Sequence, residues 1–350
     1  MFNISEDSMK HSLYLLLTLV LLFSCGKPKD GPADEQLLTQ EQLTKLAEDA
    51  KIYFKAVPDK MPGSETDTPE LIALGEKLYN DVRLSLDNTI SCNSCHLLND
   101  NKAGVDNKPV SIGVGNKNGT RNSQTVLNAG FQFVQFWDGR AKDLVEQAKG
   151  PILNPVEMAM PNEKEVVKRI VSVAEYKEMF MKSFPNDKGL VSFDNIAKAI
   201  AAFERTLVTH DRFDDYIKGQ SDALTQEELK GLDIFINVGC TTCHTGALLG
   251  GNIYQKMGLI HPYADTVDKG RYDVTKVETD KYMFKVPMLR NVALTSPYFH
   301  DGKVAGLEDA IIQMAWMQLN KKLTPEEAGY IAKFFNALID KKREKKETAG

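Results

Sequence analysis

Apolar side chains recur along most of this chain with the spacing of one helix face. Leu71, Leu74 and Leu78 fall on one side of a helix, and so do Leu229, Leu232 and Phe235, because residues three and four apart share a face. The same period runs through Ala141 to Ala148, Asn195 to Leu207, Leu307 to Leu319 and Pro325 to Lys341. Strand-like alternation is scarce. The segments between the periodic stretches are rich in Gly, Pro and Asn, which favour tight turns. The pattern predicts a mostly α fold with long loops between its helices. A different apolar run, Leu13 to Phe23, follows Lys10 and His11 and is too short to span a bilayer comfortably. It reads as an export signal, with Met9 as the expected start of translation.

The pattern repeats along the chain. Gly75-Glu76-Lys77-Leu78-Tyr79 is echoed by Gly231-Leu232-Asp233-Ile234-Phe235, and Phe136-Trp137-Asp138-Gly139 by Phe299-His300-Asp301-Gly302. Arg121-Asn122 is matched with Arg290-Asn291. Two related domains follow, 40–208 and 209–350, preceded by a signal segment 1–24 and a Lys-, Gly- and Pro-rich tether 25–39. The final helix is free to pack back on the first domain.

Net charge is only −5, with no basic stripe, which excludes nucleic acid as a partner. The Lys- and Arg-rich run from Lys341 to Lys346 reads as a solvated helix end. The five cysteines change the picture more. Cys92-Asn93-Ser94-Cys95-His96 recurs as Cys240-Thr241-Thr242-Cys243-His244. A Cys-x-x-Cys-His motif is the attachment signature of a c-type haem: the two thiols form thioethers to one porphyrin, and the adjacent imidazole becomes an axial iron ligand. Zinc would want a further Cys or His pair in each half, and none is present. The cofactors expected are therefore two covalently bound haems, one per domain. The fifth cysteine ends the run Leu22-Phe23-Ser24-Cys25, which resembles a bacterial lipobox. By that resemblance Cys25 is lipidated and anchors the chain on the periplasmic side of a membrane, or an ordinary cleaved signal leaves it soluble in the periplasm.

The repeat also points to the second axial ligands. The count from Gly302 to Met314, made from Gly139, ends at Pro151. A methionine sulfur ligates haem iron and raises its potential, whereas proline offers no ligand. Met314 with Met317 and Trp316 beside it equally suits a helix core.

From about Thr68 onward the chain resembles the bacterial di-haem cytochrome c peroxidases, a family related to the tryptophan-modifying di-haem enzyme MauG. The resemblance rests on RNSQTVLNAGFQFVQFWDGRAKDLVEQAKGPILNPVEM and FKVPMLRNVALTSPYFHDGKV. It implies reduction of hydrogen peroxide to water, with electrons from a small periplasmic cytochrome c or cupredoxin. It implies a peroxide-reacting haem on His96 and a high-potential haem on His244 and Met314. It places Gln147 and Glu157 in the peroxide pocket, where a carboxylate can move a proton between the two peroxide oxygens and an amide can orient them. It sets Trp137 between the haems and puts a calcium ion on Asn122 with the backbone of Thr295 and Pro297. His300 matches a histidine near the second haem; His210 and His261 read as surface or packing residues. Family members are commonly homodimers.

One departure stands out. The family pattern Ser-x-Gly-His-Gly, whose histidine caps the peroxide-reacting iron, here reads Ser111-Ile112-Gly113-Val114-Gly115. Valine cannot ligate, so the expectation is an enzyme active without prior reduction. The rival expectations are a MauG-like oxidase acting on a protein, which Met314 argues against, and a di-haem carrier or peroxide sensor without turnover.

Overall fold

The computed structural model describes residues 38–99 and 102–344; the export signal, most of the tether and Cys25 lie outside the described residues. Among these, twelve α-helices carry the fold: α1 (Gln40–Tyr53), α2 (Pro69–Tyr79), α3 (Cys92–Cys95), α4 (Leu144–Leu153), α5 (Glu163–Val171), α6 (Ala174–Ser183), α7 (Phe193–Glu204), α8 (Arg212–Ile217), α9 (Gln226–Val238), α10 (Tyr272–Thr275), α11 (Leu307–Leu319) and α12 (Pro325–Asn336). The only strands among the described residues, β1 (Tyr254–Lys256) and β2 (Met283–Lys285), pair antiparallel. No described helix is long and apolar enough to cross a membrane.

The expected helical faces are buried. Leu74 and Leu78 join Ile196, Ile200 and Phe203 in one core; Leu229, Leu232 and Phe235 join Ile331 and Phe334 in another. Each core is built on a crossing that only glycine permits. A Cβ on Gly75 of α2 would sit 1.9 Å from the Ala199 carbonyl oxygen of α7, and a Cβ on Gly231 of α9 would sit 1.9 Å from the Tyr330 carbonyl oxygen of α12. The repeat seen in the sequence is thus a repeat of backbone contact. Side-chain oxygens of Thr68 and Thr225 cap α2 and α9 at their N-termini, satisfying amides that have no partner within the helix.

The loop register corrects one pairing. Asn128 and Asn291 both adopt left-handed backbone, φ 59° and 64°, both precede a short 3₁₀ turn, and both side chains donate to the Thr209 hydroxyl. The partner of Arg290-Asn291 is therefore Leu127-Asn128, not Arg121-Asn122. Phe136 and Phe299 keep the same register, each at positive φ, as do Gly139 and Gly302.

Two further expectations change. Helix α1 lies in sequence beside α2, yet Leu46, Ala50 and Phe54 pack in the core of α9 and α12; that core needed another apolar face, and α1 supplies one. The basic run at 341 is not a helix end, since α12 stops at Asn336, four residues short of Asp340. Arg343 is instead largely buried, pairing with Asp340 and donating to the Lys102 carbonyl at 2.9 Å. Helix α12 itself packs on α9 and α11, and this following segment is what reaches the earlier half of the chain.

Candidate functional site: two histidine-bearing cavities

Both Cys-x-x-Cys-His motifs open onto cavities. The first, about 430 Å³, is lined by Cys92, Cys95 and His96 together with Gln147, Pro151 and Glu157. The second, about 170 Å³, is lined by Cys240, Cys243 and His244 together with Met314. The sequence expectations converge: the methionine stands in one cavity, and the proline at its repeat position stands in the other. Trp137 lines both, and its indole N–H donates to the Asn122 carbonyl at 2.9 Å.

Each motif histidine has one ring nitrogen held at a backbone carbonyl. His244 Nδ1 lies 2.9 Å from the Leu249 carbonyl, and His96 Nδ1 lies 3.4 Å from that of Gly104. Such a contact fixes the tautomer and leaves Nε2 for a metal. Burial pushes both imidazoles below their ordinary pKa, which favours the uncharged form that binds iron. Tyr79, at the end of α2, donates to the His96 carbonyl at 2.7 Å. The four cysteines of the motifs are unpaired with one another, and burial raises their thiols.

The first cavity is the more polar. Glu157 accepts a hydrogen bond from Asn154 Nδ2 at 2.9 Å. Burial raises its carboxyl above the ordinary range, against the opposing pull of Arg140. Arg140 lies 3.5 Å over the Phe136 ring and pairs with Asp138. The loop carrying Val114 closes against this site. The Val114 amide donates to the Glu157 carbonyl at 2.8 Å, and a Cβ on Gly113 would strike the Val156 and Glu157 backbone. His96 is the one histidine lining the cavity among the described residues.

The second cavity is apolar apart from a few groups. His300 lines it, stacked at 4.3 Å on Phe284. His261 lies outside, stacked at 3.7 Å on Trp316; His210 is half-exposed near Asp59 and Asp214. Asn122, Thr295 and Pro297, the expected calcium residues, line a third cavity of about 80 Å³ that also touches Trp137. The Asn122 amide donates to the Lys108 and Pro109 carbonyls, so its oxygen is left to face other partners.

Three buried polar atoms without partners lie on these walls: Gln132 Oε1, Glu204 Oε2 and His300 Nε2. Orphaned atoms of this kind call for a partner such as water, an ion or a bound group. A haem in each cavity fits the donor set: a neutral imidazole, a thiol pair at attachment spacing and a mainly apolar wall. Two charged residues here escaped the sequence reading. Glu204 is 5% exposed and its carboxyl is pushed to about 8 by burial. Lys285 is fully buried in the second wall. A lone acid closing the apolar run Ala199-Ile200-Ala201-Ala202-Phe203 was the available signal for Glu204; for Lys285 a single lysine in a short strand carried none.

A fold of two helical cores, each presenting a histidine and a thiol pair to its own cavity, is that of a di-haem cytochrome. Residues 69–222 match the di-haem cytochrome c peroxidase family model. The chain is 46% identical over 307 residues to a cytochrome c551 peroxidase of Pseudomonas aeruginosa, covering 86% of this chain and 88% of that protein. It is 47% identical over 277 residues to a cytochrome c551 peroxidase of Nitrosomonas europaea, covering 77% and 81%. Among solved structures, a MauG-like protein associated with microbial copper homeostasis superposes with a TM-score of 0.73 at 28% identity, covering 84% of this chain and 96% of that one. The chain belongs to the di-haem cytochrome c peroxidase family, and two haem groups are part of it.

Proposed function

We propose that this protein reduces hydrogen peroxide to water at the first cavity, with electrons received through the second. The observation that carries the reading is the inequality of the two cavities. Opposite functions need opposite surroundings: an electron-transfer haem wants both axial positions filled, and a reacting haem wants one open. Met314 faces the cavity of His244, whereas Pro151, Gln147 and Glu157 face that of His96.

His96 with Cys92 and Cys95 would hold the first haem, and His244 and Met314 with Cys240 and Cys243 would hold the second, the paired thiols through thioether bonds. The haem of the first cavity, when bound, supplies the iron at which the peroxide O–O bond is cleaved. Glu157 takes the proton from one peroxide oxygen and delivers it to the departing one, so that it leaves as water. Its buried carboxyl, held by Asn154, is poised for both steps because its pKa is raised toward the working pH. Gln147 orients peroxide without competing for the proton. Overall, one peroxide, two protons and two electrons give two waters. Trp137 carries electrons between the cavities whose walls it shares. A calcium ion on Asn122, Thr295 and Pro297 fixes this junction. The donor is a small cytochrome c or cupredoxin of the periplasm, and Cys25 anchors the protein to the membrane there.

Replacing Glu157 with Gln keeps volume and hydrogen bonding but removes the base. Peroxide cleavage, followed by stopped-flow absorbance, should slow by about 10²–10⁴-fold, with electron uptake at the second haem unchanged. Unaltered cleavage would remove Glu157 from the mechanism. Val114 leaves the first haem without a histidine cap, so the enzyme works without prior reduction. Electron paramagnetic resonance of the fully oxidised protein should show a high-spin first haem; a wholly low-spin spectrum refutes this.

A further inference from the structure

Lys285 is the one lysine or arginine among the residues lining the second cavity, and it is fully buried. A lysine is almost never buried in full without an ionic partner. Its ammonium donates to the Val134 carbonyl at 3.2 Å, which uses one of three N–H donors. The nearest charge that favours it is Asp138, but that carboxylate is already taken by Arg121 at 2.6 Å and Arg140 at 3.0 Å. Burial accordingly pulls the Lys285 ammonium down to about 7. No carboxylate stands among the residues lining this cavity, whose polar members include Gln255, Tyr298 and His300.

A haem carries two propionate carboxylates, and a carboxylate in such a wall needs a cation. The residue also sits at the junction of the two cavities. Its backbone N–H donates to the Trp137 carbonyl at 2.7 Å, and its strand partner is Tyr254.

We propose that Lys285 is the counter-cation of a propionate on the second haem, and that this buried pair holds the potential of the electron-accepting haem high. The proposal rests on the second cavity being a haem site. Its physical basis is simple: a fixed positive charge in a low-dielectric wall favours the reduced, less positive iron. Lys285 acts through the haem's charge rather than on peroxide, so it is a positioning and tuning residue.

The test is a spectroscopic redox titration of the haem-loaded wild type, Lys285→Met, Lys285→Gln and Lys285→Arg proteins. Haem content is measured first by the pyridine haemochrome. A wild type with fewer than two haems per chain overturns the haem reading of the cavity itself, whatever Lys285 does. With two haems bound, Lys285→Met and Lys285→Gln should each move the higher midpoint potential to a more negative value and leave the lower one in place. Lys285→Arg should restore the wild-type value in part. Lys285→Gln retains a donor for the Val134 carbonyl, so it separates loss of charge from loss of that hydrogen bond. Wild-type potentials in both Lys285→Met and Lys285→Gln overturn the proposal. A shift confined to Lys285→Met also overturns it, because it assigns the effect to packing.

Discussion

Replacing Gly75 with Ala is a severe test of the helix crossing on which the first cavity depends. Two effects oppose each other. Alanine favours an exposed helix interior over glycine by about 1 kcal/mol. Against this, the new methyl carbon would lie 1.9 Å from the Ala199 carbonyl oxygen and 2.9 Å from the Phe203 Cβ. The obstacle is backbone, which cannot rotate aside, so α2 and α7 must separate by more than about 1 Å in a close-packed core. Overpacking of this kind costs about 1–3 kcal/mol, and the rigid partner puts this site at the upper end. The net loss is about 2 kcal/mol, which lowers the melting temperature by roughly 4–8 °C in a large domain. The damage should extend to the haem site, because Tyr79 at the end of α2 holds the His96 carbonyl at 2.7 Å. Thermal melts followed at the Soret band measure both effects. Gly231→Ala, which meets the Tyr330 carbonyl at the same 1.9 Å, should cost a similar amount but perturb the second haem. An unchanged or raised melting temperature in both variants would refute the crossing argument.

Glu204→Gln should flatten the dependence of stability on pH. The Glu204 carboxyl stands at about 8 in the fold against 4.5 for an ordinary glutamate. The unfolded chain therefore releases this proton at lower pH than the folded one, and stability falls as pH rises from about 4.5 to about 8, then levels off. The variant should gain on the order of 4 kcal/mol at pH 8 and little at pH 4, read by denaturant titration of the haem-loaded protein; equal gains at both pH values refute the assignment. Met314→Leu should keep the volume but remove the sulfur, so the higher haem potential should fall in a redox titration. An unchanged potential would leave Met314 as core packing.

The sequence made the helices legible because burial of one face imposes a period on the chain, and Leu74, Leu78, Leu232 and Phe235 obey it. It made the motif residues legible because their spacing recurs unchanged in both halves of the chain. The partner of each face was not legible. Nothing in α1 says that it packs with α9 and α12 rather than with α2, since an apolar stripe states that it is buried and not against what. The loop register failed for a related reason. Two Arg-Asn pairs look alike as letters, whereas the structural match, Asn128 with Asn291, rests on left-handed backbone and a shared Thr209 hydroxyl. Glu204 and Lys285 went unread because the cost of a buried charge depends on the cavity that it faces.

The placement of α1 bears on the order of events during folding. Leu46, Ala50 and Phe54 complete a core whose other members include Ile331, Phe334 and Leu338, so the first and last described helices of the chain close the same unit. Contacts of such sequence separation form late, because the loop between them must be ordered first. The second haem half cannot finish until the whole chain has been delivered, while the α2–α7 core can form from a contiguous stretch. The first motif therefore becomes enclosed earlier than the second. The time for which each cavity stays open is thus set by topology, and it is longer for the cavity of His244.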